Sequence, residues 1–159
     1  MKKRTTIAIA GGLVVALVVL PHAFRSRRSL DPRAWAQMAS AACWTMQNRI
    51  SSEGWAHWKP LADRRPLGRI AVLRRELLEL HRAGLREILA HGPPPDGAPA
   101  RAVVRYKRML VTIRDVARAA KRRDVAAYRD ADVRMVLAIQ ATRTAFEQAG
   151  TENVCNFAI

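Results

Sequence analysis

The sequence predicts an all-α protein, with an N-terminal membrane segment followed by an antiparallel four-helix bundle. Three observations carry this prediction. The stretch from Thr5 to Leu20 reads TTIAIAGGLVVALVVL, without a charged residue. Four later stretches repeat apolar residues at three- and four-residue steps, the mark of amphipathic helices. No stretch alternates apolar and polar residues over the length of a strand.

The N-terminal segment sets the frame. Its uninterrupted apolar run, Ile7 to Leu20, counts fourteen residues. A spanning helix takes roughly 17–25 residues, and a signal-peptide core roughly 7–15. Length therefore favours a cleaved signal. The chain after it, Pro21-His22-Ala23-Phe24, fits a small-x-small cleavage site poorly and favours an uncleaved anchor. Residues 1–24 are read as a signal anchor or signal peptide, 25–30 as a basic linker, and 31–159 as the bundle with a C-terminal tail. Lys2, Lys3 and Arg4 lead the segment, and Arg25, Arg27 and Arg28 follow it. A leading cationic cluster stays on the cytoplasmic side, which puts the body outside the cytoplasm. Secretion after cleavage is the alternative. Because the two flanks are nearly balanced, the reverse topology also stays open.

Composition bounds the partners. Lys and Arg number 28 against 13 Asp and Glu, for a formal charge of +15. The surplus is concentrated between Lys59 and Arg134, and the chain beyond is slightly acidic. Arginine far outnumbers lysine, as a GC-rich genome would produce without selection for binding. The functional reading is an anionic partner, whether phospholipid, an acidic envelope polymer or nucleic acid. Two cysteines, Cys43 and Cys155, lie almost a whole domain apart. In an exported chain an even cysteine count suggests a disulfide; two unrelated buried thiols are the other reading.

The first helix is expected from Pro32 to Ser51, with Asp31 as its cap and Pro32 in its first turn. Trp35, Ala39, Ala42, Met46 and Ile50 form its buried stripe, with Cys43 beside it. The irregular stretch from Ser51 to Pro66 holds Trp55, His57 and Trp58, suited to an interfacial patch or to sealing a bundle end. The second helix is expected from Leu67 to His91, with Ile70, Leu73, Leu77, Leu80, Leu85 and Ile88 inside. Glu76, Glu79 and His81 invite comparison with the Glu-x-x-His element of di-iron bundles, but position 78 is Leu and the spacing fails. Glu79 and Glu87 read instead as ion-pair partners of Arg75, Arg82 and Arg86. His91 to Gly97, with three prolines, forces a stiff turn.

The third helix, Ala98 to Arg123, buries Val103, Tyr106, Leu110, Ile113, Ala117 and Ala120. Its outward residues are Arg101, Arg105, Lys107, Arg108, Arg114, Arg118, Lys121 and Arg122, against the single acid Asp115. This is the candidate anion-binding surface; a solvated charge run is the plainer reading. Asp124 caps a fourth helix, Val125 to Ala149, whose stripe is Tyr128, Ala131, Met135, Ile139, Thr142 and Phe146. Gly150 closes it, and the tail is expected to bring Cys155, Phe157 and Ile159 back over the bundle.

The layout Ala41-Ala42-Cys43, Pro93-Pro94-Pro95 and Ala149-Gly150 followed by Cys155 resembles small exported helical-bundle proteins of GC-rich bacteria with no known activity. In these, two cysteines bracket the bundle, so the resemblance implies fold and compartment only. No nucleophile–base pair, metal set, Walker loop or dinucleotide fingerprint occurs in the sequence. The expectation is a non-catalytic, membrane-anchored or exported envelope protein, with no cofactor, that binds a protein or an anionic surface partner. It would meet the membrane through residues 5–20. If the body faces the cytoplasm, nucleic acid or anionic lipid becomes the expected partner; a structural or assembly role is the remaining alternative.

Overall fold

The computed structural model describes residues 30–52 and 66–152. These form four helices: α1 (Pro32–Ser52), α2 (Leu67–Leu89), α3 (Ala98–Lys121) and α4 (Val125–Gln148). There is no strand among the described residues. None of the described helices is long and apolar enough to cross a membrane. The segment 5–20, the linker to Ser29, Trp55, His57, Trp58 and the tail with Cys155, Phe157 and Ile159 lie outside the described residues.

Each helix begins or ends on a local chemical signal. The Asp31 carboxylate accepts from the Arg33 and Ala34 backbone N–H groups at 2.9 and 3.2 Å, satisfying donors that the first turn of α1 leaves open. Asp124 does the same for α4, accepting from Ala127 N–H at 2.9 Å. Gly92 and Gly97 take φ of 131° and 87° in the α2–α3 connection, conformations that a Cβ would oppose. The α3–α4 connection is the shortest. Arg123 donates from its N–H to the Ala120 carbonyl at 3.0 Å, and Asp124 to the Ala119 carbonyl at 3.3 Å. This paired arrangement is a Schellman motif, and it reverses the chain within three residues.

Each helix runs back along its predecessor. Tyr106, early in α3, meets His81 of α2 and Phe146, late in α4. Trp35, at the start of α1, meets the same Phe146 with ring centroids 5.9 Å apart. The beginning of α1 and the end of α4 therefore share one end of the bundle, and the α3–α4 turn lies at the other. Helix α3 packs most extensively, against both α2 and α4, while α1 rests mainly on α2. The four expected stripes are the core: Trp35, Ala39, Ala42, Met46 and Ile50; Ile70, Leu73, Leu77, Leu85 and Ile88; Val103, Tyr106, Ile113, Ala117 and Ala120; and Tyr128, Ala131, Met135, Ile139, Thr142 and Phe146 are all buried. Leu80 and Leu110, expected inside, are only partly buried. Met109 and Val116, off the expected α3 stripe, are completely buried because α3 is covered on two sides.

Two contacts decide how closely the helices approach. Gly84 of α2 leaves room for the Met46 side chain; a Cβ there would stand 2.8 Å from the Met46 sulfur and 3.2 Å from the Tyr106 hydroxyl oxygen. That hydroxyl donates to the His81 carbonyl at 3.0 Å and lies 3.2 Å from Met46 Sδ and 3.2 Å from His81 Nδ1. The core thus carries a polar knot joining α1, α2 and α3. Burial lowers the His81 pKa to about 4, and pushes the Tyr106 hydroxyl far up. Both groups are neutral at physiological pH.

Candidate functional site: the basic face of α3

The periodicity that buries Val103, Tyr106 and Ile113 turns the cations of α3 outward. Arg101, Arg105, Lys107, Arg108, Arg118, Lys121 and Arg122 are exposed, and Arg114 is half-buried. They are paired less often than the arginines of α2 and α4, of which Arg69, Arg75, Arg86 and Arg129 are likewise without a carboxylate partner among the described residues. On α4, Arg134 pairs with Asp130 and Arg143 with Glu147, the latter at 2.9 Å. On α2, Arg82 pairs with Glu79 at 2.5 Å and Arg74 reaches Asp132 of α4 at 3.2 Å. On α3 the one recorded ion pair joins Arg114 to its neighbour Asp115 at 3.7 Å. Among the described residues, the other seven cations have no carboxylate oxygen within 4.0 Å. The expected pairing of Glu79 with Arg82 is present, while none is recorded for Glu87.

The eight cations do not form one site. Arg101 and Arg122 are separated by about 30 Å along the helix axis, at a rise of about 1.5 Å per residue. Val104 and Val111, 48% and 44% exposed, interleave with Arg101, Arg105 and Arg108. At the opposite end, Arg118 and Arg122 join Asp115 and Ala119 in lining a cleft of about 240 Å³. Ala127, Ala131 and Arg134 of α4 form its other wall. Small side chains at those two alanine positions open the cleft. Arg134 is the member that the sequence did not flag; its only local signal is the acid four residues earlier, Asp130.

Two other surface clefts differ in charge. One, of about 700 Å³ between α1 and α2, mixes Arg49, Arg75 and Arg86 with Glu76 and Glu79. Another, of about 600 Å³ where α1 begins and α4 ends, has Arg33 and Glu152 among its lining residues. Among the described residues no three His, Cys, Asp or Glu side chains converge as a metal site would need. His81, completely buried and neutral, serves the core.

Cys43 is buried on α1, as its place beside the apolar stripe predicts. Its expected partner, Cys155, lies outside the described residues. The chain leading toward it is described as far as Glu152. Gly150 sits 3.8 Å, measured from an ideal Cβ position, from the Ala36 side chain, and the Glu152 N–H donates to Ser40 Oγ at 3.2 Å. The chain thus turns after α4 and starts back along α1 in the direction of Cys43.

The class defined by these features is an all-α helical bundle with an unneutralised cationic face. No family model, no curated protein and no solved structure matches the chain.

Proposed function

We propose that the protein is a non-catalytic binding module of the cell envelope, tethered or exported through residues 5–20, whose α3 face binds an anionic partner. The observation that carries this reading is the contrast in pairing. Half of the arginines on α2 and α4 (Arg74, Arg82, Arg134 and Arg143) have carboxylate partners on their own or neighbouring helices, whereas α3 sets seven exposed cations against solvent without one among the described residues. Such a surface attracts polyanions and releases their counterions on contact. The exposed valines among Arg101, Arg105 and Arg108 add apolar area to the same face.

Binding of the full chain to vesicles of mixed phosphatidylglycerol and phosphatidylcholine, and to polyphosphate, tests the reading. Replacing Arg108, Arg114 and Arg118 together by Glu should abolish binding to polyphosphate and reduce vesicle association to the level seen with pure phosphatidylcholine, where only residues 5–20 would hold the chain. Undiminished binding by that variant would remove α3 as the working face.

A Cys43–Cys155 bridge belongs to the same reading. It is supported by the course of the chain from Gly150 past Ala36 to Ser40. Three residues of extended chain reach roughly 10 Å, more than the rise from Ser40 to Cys43 along α1, about 4.5 Å.

A further inference from the structure

We propose that the α3–α4 cleft is a discrete site for phosphate groups, supplied from solution rather than by the bilayer that residues 5–20 would enter. This rests on the reading of α3 as an anion-binding face and narrows it to one end.

Three guanidinium groups from two helices line this cleft, against one carboxylate. Arg134 is shared with Asp130, and Asp115 lies nearest to Arg114. Arg118 and Arg122 have no carboxylate within 4.0 Å among the described residues. They stand four residues apart along α3, where like charges repel. Their position near the C-terminus of α3 suits its dipole, but that does not account for a third arginine facing them from the tenth residue of α4. A planar guanidinium offers paired N–H donors that match two phosphate oxygens at once. The volume of about 240 Å³ exceeds by severalfold the ~30 Å³ that one water occupies, so a phosphate group or a pyrophosphate fits.

Location selects the source. The chain enters α1 at the end where α4 finishes, and the cleft lies by the α3–α4 turn at the other. Helix α4 has 24 residues, about 36 Å at 1.5 Å per residue. The cleft residues Ala127 to Arg134 lie about 20–30 Å along that axis from its end, so a bundle standing on its entry end holds the cleft about that far from the membrane surface. Soluble phosphorylated compounds or phosphodiester polymers reach it there; headgroups beneath the bundle do not.

The test is calorimetric titration of the full chain, in zwitterionic detergent, with inorganic pyrophosphate at fixed ionic strength. One saturable site is expected. Its affinity should fall at least tenfold in the Arg118→Ala/Arg122→Ala variant and change less than twofold in Arg101→Ala/Arg105→Ala/Arg108→Ala. An Arg118→Lys/Arg122→Lys variant, which keeps the charge and loses the planar fork, should weaken binding while preserving the circular dichroism spectrum. Equal losses in the two alanine variants, or no saturable binding, would overturn the site. Phosphatidylglycerol-dependent vesicle binding retained by wild type in that case would leave the broader α3 reading standing. Loss of phosphatidylglycerol-vesicle binding in Arg118→Ala/Arg122→Ala, with pyrophosphate competing, would overturn the solution source and assign the cleft to headgroups.

Discussion

Arg123 and Gly150 hold the same place in the backbone, one residue past the cap of successive helices, and both take positive φ, 57° and 82°. Their hydrogen bonds match as well. Arg123 and Asp124 donate to the carbonyls of Ala120 and Ala119; Gly150 and Thr151 donate to those of Glu147 and Phe146. Glycine adopts this left-handed conformation freely, whereas a side chain costs about 1–2 kcal/mol. Arg123→Gly should therefore raise stability by about 1 kcal/mol in urea unfolding, and Gly150→Ala should lower it by a similar amount. The Cβ added at Gly150 meets only ordinary contact, so backbone conformation alone drives the second effect. An unchanged midpoint for Arg123→Gly would mean that its side chain offsets the strain.

Acid should weaken the fold through His81. Its pKa falls from 6.5 in the unfolded chain to about 4 in the completely buried site, because burial disfavours the charged ring. Below 6.5 the unfolded state gains a proton that the folded state refuses. The contribution is thus fully present above pH 6.5 and is lost progressively as pH falls toward 4. Its size is roughly 3 kcal/mol, from 1.36 kcal/mol per unit. Urea midpoints measured between pH 7.5 and 4 should decline in wild type and decline less in His81→Gln. Parallel curves for the two proteins would assign the acid sensitivity elsewhere.

Tyr106→Phe removes the hydroxyl that donates to the His81 carbonyl at 3.0 Å and touches Met46. A loss of about 1 kcal/mol is expected, since a typical buried hydrogen bond contributes about that much net. Gly84→Ala should cost about 1–2 kcal/mol, because the added methyl overlaps Met46 Sδ and crowds the hydroxyl. Combining Gly84→Ala with Tyr106→Phe should cost less than the sum, a coupling read from a double-mutant cycle. Simple additivity would show that the two helices can separate without disturbing the knot.

The proposed Cys43–Cys155 bridge predicts that both thiols, treated with alkylating agent after denaturation, stay unreacted until a reductant is added. It closes a loop of about 110 residues, for which the chain-entropy relation gives about 4–5 kcal/mol. Thermal unfolding with and without reductant should differ accordingly, and Cys155→Ser should abolish the difference. Alkylation of both cysteines on denaturing intact cells without reductant would remove the bridge and favour a body facing the cytoplasm.

The helices were legible because their signals are local. Asp31 and Asp124 cap where expected, and every residue of the α1 and α4 stripes is buried. Periodicity gives one face per helix, however, and α3 packs on two sides. Met109 and Val116 fall outside a one-face stripe for that reason, and Leu110 lies less deep than its step in the stripe predicts. The burial of His81 is not visible in the sequence, because it depends on Gly84, Met46 and Tyr106, which come from three helices. The cations of α3 were readable one by one. That two of them face Arg134 depends on the pairing of α3 with α4, which spacing within one helix does not encode.

The light packing of α1 has a consequence in time. Among the described residues α1 rests chiefly on α2, whereas α2, α3 and α4 are joined through the extensively packed α3. With the proposed Cys43–Cys155 bridge reduced, the first segment to swing open should accordingly be α1, giving its amides faster hydrogen exchange than those of α3. Trp35, 1% exposed and set against Phe146, would then be the first large ring to meet water. The protein would pass through a short-lived three-helix state with its aromatic interior open along one side.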